Sequence, residues 1–169
     1  MMKSWKIWTG TVAVVFVAAV SALTAAVWNN VSSEWAVEQN AAQFALNHSP
    51  INHIAVHSVF TASQAQEVFL GTDSFHRPWY VFVYGSPFSV QSVAAQNLLT
   101  KAVVNKKMEE QQIHPIRDSI GFLNPETQAA CHTSATVVWE VYGREVKSGK
   151  LVYVYVDAHT GSSVWKYVL

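Results

Sequence analysis

The chain has 169 residues, enough for a sizeable core, yet only 13% are charged, about half the share usual in soluble domains. Its 11 basic and 11 acidic residues cancel, which excludes the electrostatic footprint of a nucleic-acid binder and any polybasic membrane patch. The single cysteine, Cys131, excludes an internal disulfide and a paired thiol metal site, and reads as a loop or half-buried small residue.

In chain order, residues 1–6 carry Lys3 and Lys6, and residues 7–33 then hold no charge. A helix over 7–28 rises about 1.5 Å per residue, enough for a hydrocarbon core of roughly 30 Å. No Lys or Arg follows until Arg77. That asymmetry expects a cytoplasmic segment at 1–6, a transmembrane signal anchor at 7–28 and an extracytoplasmic remainder on the outer side of the cytoplasmic membrane. Trp5, Trp8 and Trp28 stand at the ends of the block, where an interfacial aromatic belt places them. A cleaved signal peptide is the competing reading, but its apolar stretch runs only about 7–15 residues.

Residues 34–47 have helical periodicity in Val37, Ala41, Phe44 and Ala45, stopped by Ser49-Pro50. Three strand-like runs follow: 53–60, 67–70 ended by a turn at 71–74, and 79–84, which is apolar on both faces. Ser89 then reads as the N-cap of a second helix reaching about Gln112, with Phe88 and Val93 placed to staple its entry. A weak strand over 116–123 and a loop over 124–133 come next. The chain ends in a three-stranded meander. Val137, Trp139 and Val141 alternate with Val138, Glu140 and Tyr142, and a hairpin covers 151–156 and 162–168. In its turn Asp157 accepts N–H bonds two residues on, and Gly161 takes a positive φ. The plan is α+β, a helix with an antiparallel sheet of three to four strands, used twice.

Two stretches carry a resemblance. Val138-Trp139-Glu140-Val141 and the run from Tyr153 to Gly161 resemble the closing strands of a PepSY domain, with its Val-Asp-x-x-Thr-Gly turn at Asp157, Thr160 and Gly161. Residues 88–94 resemble that domain's opening helix, with Gln91 and Ser92 where the family carries acidic residues. The whole order is similar to the YpmB/TseB-like family of Gram-positive bacteria. The resemblance implies two tandem PepSY-like (cystatin-like) units, a degenerate one over 29–86 and a clearer one over 87–169. It also implies a regulator of cell-wall elongation that contacts a class B penicillin-binding protein, with no enzyme activity and no cofactor. The wider PepSY family suggests an alternative, an inhibitor or chaperone of a secreted or membrane peptidase.

The residues themselves offer little chemistry. His53 and His57 would converge on a helix, but on a strand four residues span about 13 Å, so no metal is expected. No paired carboxylates, Gly-x-Ser-x-Gly or phosphate-cradling loop occurs. The aromatics are concentrated in strands, and Trp79, Tyr80, Tyr84, Tyr153, Tyr155 and Trp165 are the candidate contact residues. Two readings stay open: these faces bury each other between the units, or they form an exposed patch for a membrane-bound protein partner.

Overall fold

The computed structural model describes residues 3–169, with side chains described at 16–24 and 35–169. The chain divides into two compact units, Met1–Asn40 and Ala41–Leu169. The first consists of the greater part of α1 (Lys3–His48), one helix of 46 residues. The anticipated helix at 34–47 is therefore the end of a longer one. Much of the expected span at 7–28 lies outside the residues whose side chains are described. Among the described residues no helix is long and apolar enough to cross a membrane.

In the second unit, the last turns of α1 meet a sheet of β1 (His53–Phe60), β2 (Gln66–Thr72), β3 (Pro78–Tyr84) and β4 (Ser89–Ala94). All neighbours pair antiparallel in chain order. Strand alternation sorts the side chains to two faces. Phe69, Val81 and Val83 pack with Ala41, Ala45 and Ile51. The small Ala41 and Ala45, one turn apart, let the helix lie close to the sheet. Val68 and Phe82 point the other way and join a second core.

The helix expected from Ser89 is corrected here: residues 89–94 are β4, and only Lys101–Glu110 is helical, as α2. The physical reason lies in β3, whose far edge needs a hydrogen-bonding neighbour. As a strand, the segment also sends Val90 to the α1-side core and Val93 to the other. A helix with Val90 and Val93 on one side leaves the far edge of β3 unpaired. A short 3-10 turn, Ala95–Asn97, leads on to α2.

The second sheet comprises β5 (Ile113–Phe122), β6 (Val137–Glu145), β7 (Leu151–Asp157) and β8 (Ser163–Val168), again a meander. Val104 and Met108 of α2 are fully buried in the core that holds Val137, Trp139, Val141, Val152, Val154 and Val156. Trp139 donates its indole N–H to the carbonyl of Leu99 at 3.0 Å, tying β6 to the approach to α2. Between β5 and β6 the loop expected over 124–133 contains α3 (Pro125–Ala130). Asn124 accepts from the Thr127 N–H at 2.8 Å and Pro125 opens the first turn, a capping arrangement that favours helix.

Two residues lock the sheets together. The Phe60 ring, at the end of β1, lies directly over Gly121 of β5, where a Cβ would overlap it. Gln66, at the start of β2, is buried and pairs with both backbone groups of Phe122: its amide nitrogen donates to the carbonyl at 2.5 Å, and its oxygen accepts from the N–H at 2.9 Å.

Candidate functional site

The closing turn forms as its residues dictate. Asp157 accepts from the His159 N–H at 2.8 Å and from the Thr160 hydroxyl at 3.0 Å, and Gly161 has φ 76°. Ala158, inside the turn, accepts from the Leu99 N–H at 2.7 Å, so the turn braces the approach to α2. Asp157, Thr160 and Gly161 are thus structural, and their effect is to hold β7 and β8 in register.

The six candidate aromatics do not form one patch. Trp79 packs with the α1-side core and donates its indole N–H to Asp73 Oδ2 at 3.1 Å. Tyr80 meets Trp139 edge to face at 6.3 Å, and Tyr84 stacks on Phe122 at 5.7 Å, both between the sheets. Tyr153, Tyr155 and Trp165 stand on the opposite, outward side of the second sheet. There the strand register assembles two rows. Tyr142, Tyr153 and Tyr167 are cross-strand neighbours, and so are Glu140, Tyr155 and Trp165. Tyr142 and Tyr153 approach to 4.9 Å and Tyr155 and Trp165 to 5.4 Å between ring centroids. Trp165 is 49% exposed and Tyr167 53%.

Glu140 anchors this face from below. It accepts from the Tyr155 hydroxyl at 2.7 Å and from the Ser119 hydroxyl at 3.3 Å. Burial, then the hydrogen bond to Glu140, pushes the Tyr155 hydroxyl well above the ordinary tyrosine range. The hydroxyl therefore stays protonated, and able to donate to Glu140, at every physiological pH. Tyr142, Tyr167 and Glu140 belong to the face although the six candidates omit them. The alternation that puts Tyr142 on the side of Glu140 was the signal available for them.

Trp79 has a different task, the β2–β3 connection. Asp73 accepts N–H bonds from Phe75 at 2.9 Å and Arg77 at 3.0 Å, and its other oxygen takes Arg77 Nε at 2.7 Å. Burial would raise its pKa; the hydrogen bonds from Arg77, Trp79 and Phe75 outweigh it and lower the value from 3.8 to about 2. A depressed folded pKa means that the stabilisation is full above the unfolded value and disappears as pH falls through about 2. Asp73→Asn should therefore lower Tm at neutral pH, with the gap to the native chain closing between about pH 4 and pH 2. Thermal melts across that window check this; a gap independent of pH contradicts it.

His57 Nε2 lies 2.6 Å from Glu67 Oε2 and the ring stacks on Phe69. Among the described residues no group of three or more His, Cys, Asp or Glu is placed to hold a metal ion. Cys131, a free half-buried thiol just past α3, lines an apolar cavity of only about 20 Å³ with Tyr155 and Trp165. A larger cleft of about 260 Å³ opens between the sheets beside Tyr80, Asp118 and Trp139.

The YpmB protein from Bacillus subtilis matches with a TM-score of 0.62 and 19% sequence identity, covering 78% of this chain and 96% of that one. The fold is YpmB-like. No family model and no curated protein matches the sequence. The likeness extends to the arrangement of elements.

Proposed function

We propose that the chain is a non-enzymatic extracytoplasmic regulator of cell-wall elongation, tethered through residues 7–28 and acting by protein–protein contact with a class B penicillin-binding protein. The observation that carries this reading is the outward aromatic face of β7 and β8, with Trp165 and Tyr167 about half exposed on a sheet whose other side is core. Tyr and Trp are the residues that most often dominate binding energy, and a rigid sheet presents them at little entropic cost. The YpmB-like fold is in keeping with the same reading, and so is the sequence resemblance of the closing strands and turn.

The test is crosslinking in intact cells followed by mass spectrometry, comparing the native chain with the double variant Tyr153→Ala, Trp165→Ala. Loss of two such anchors is expected to cost about 2 kcal/mol or more, lowering recovery of the penicillin-binding protein at least about tenfold while circular dichroism stays native. Recovery of a peptidase in its place would shift the reading to a peptidase inhibitor or chaperone. Equal recovery of the same partner by both chains would remove the aromatic face from it.

A further inference from the structure

The outer edge of β5 carries an unfinished hydrogen-bond ladder. Phe122 directs both its N–H and its C=O away from β6, where the Gln66 side-chain amide takes them. Leu123 instead points inward, its N–H bonding to Thr136 O at 2.8 Å. The register with β6 is continuous from Arg117 to Phe122. Alternation then turns the backbone groups of Ile120 and Asp118 outward as well. Gln66 serves Phe122 as a neighbouring strand would; among the described residues nothing does the same for Ile120 or Asp118.

Beside these two residues lies the inter-sheet cleft of about 260 Å³. Val68, Leu70, Tyr80 and Trp139 give it apolar walls, and Asp118 and Ile120 stand on its β5 side. Asp118 is the buried charge at this place, its side chain 7% exposed. It is held by Lys101 at 2.7 Å and by the Asn105 amide at 2.9 Å. Lys101 is 64% exposed, so that partner sits at the rim. Asn105 Oδ1, next to the carboxylate, is a buried acceptor with no donor. Unmet main-chain groups, an apolar wall and excess acceptors together describe a peptide strand carrying a cation.

We propose that the cleft takes an extended segment of a protein partner, which adds to β5 as an antiparallel strand at Ile120 and Asp118. Cross-strand neighbours point to the same face, so the residue opposite Ile120 is apolar and fills the wall of Val68, Leu70 and Trp139. The residue opposite Asp118, two positions away, is Lys or Arg. The recognised motif is apolar-x-basic, read by main-chain pairing with side-chain pockets. This site is separate from the aromatic face on the far side of the sheet and stands whether or not the partner there is a penicillin-binding protein.

The test uses the full chain and fluorescent hexapeptides acetyl-Thr-Xaa-Thr-Lys-Thr-Thr-amide, Xaa being Val, Leu or Phe, followed by polarisation. At least one should bind saturably below about 1 mM. In that register the amides of Xaa and Lys face β5 and those of the flanking threonines face away. Methylating either the Xaa or the Lys nitrogen should weaken binding at least about tenfold, while methylating the threonine between them changes it less than about threefold. Replacing Lys by norleucine should cost a similar factor in the native chain and nothing in Asp118→Asn. No binding by any of the three peptides, or binding indifferent to which nitrogen is methylated, overturns the proposal.

Discussion

Gly121→Val should leave the chain at least about 3 kcal/mol less stable, or unfolded. Overpacking a core ordinarily costs about 1–3 kcal/mol because neighbours shift to make room. At Gly121 the added Cβ would coincide with the Phe60 ring, which is 1% exposed and enclosed by both sheets. Nothing flexible stands there to give way. The reverse change, Phe60→Ala, should cost about 3–5 kcal/mol by leaving a cavity. Combined with Gly121→Ala it should cost clearly less than the two separate losses added together, since each removes the obstacle the other meets. Urea denaturation of the two single variants and the double one measures the coupling. Strict additivity would mean that the ring does not lie over the glycine.

Gln66→Met is the second large effect. Its shape nearly matches, so packing changes little, but the Phe122 N–H loses its acceptor in a buried place and the carbonyl keeps only the Ser63 hydroxyl at 3.3 Å. An unsatisfied buried group costs about 1–3 kcal/mol, and that is the expected loss. Hydrogen exchange at the Phe122 amide should accelerate in the same variant, because its acceptor is gone. A loss under about 1 kcal/mol together with unchanged exchange would contradict the pairing.

These two contacts also mark where sequence reading stops. The C-terminal meander was legible because Val152 to Val156 alternate strictly, because Val137, Trp139 and Val141 give an apolar period of two, and because Asp157 and Gly161 bring their own turn chemistry. The end of α1 was legible through the spacing of Ala41, Phe44 and Ala45. By contrast, Ser89 to Ala94 satisfies a helix N-terminus locally, and only the free edge of β3 makes it a strand. The run Val81-Phe82-Val83, apolar on both faces, left open whether its second face is buried or exposed, and the structure buries both. It could not say that one cover is a helix and the other a second sheet. The Phe60–Gly121 and Gln66–Phe122 pairs join residues more than 50 positions apart, and no periodicity reports such partners.

The same limit divided the candidate site. Local pattern placed Trp79, Tyr80, Tyr84, Tyr153, Tyr155 and Trp165 in strands, where they are. Which face each occupies depends on what packs above the sheet. Tertiary contacts turn the first three into core or hairpin support and leave the last three, joined by Tyr142 and Tyr167, facing outward.

The proposal that the chain works through this outward face is tested most directly by hydrogen exchange on the full chain, alone and with the purified class B penicillin-binding protein of the same cell. Slower exchange confined to β7 and β8, absent in the Tyr153→Ala, Trp165→Ala variant, is the predicted result. Complex formation without any protection of β7 and β8, or no complex at micromolar concentrations of both proteins, would contradict it.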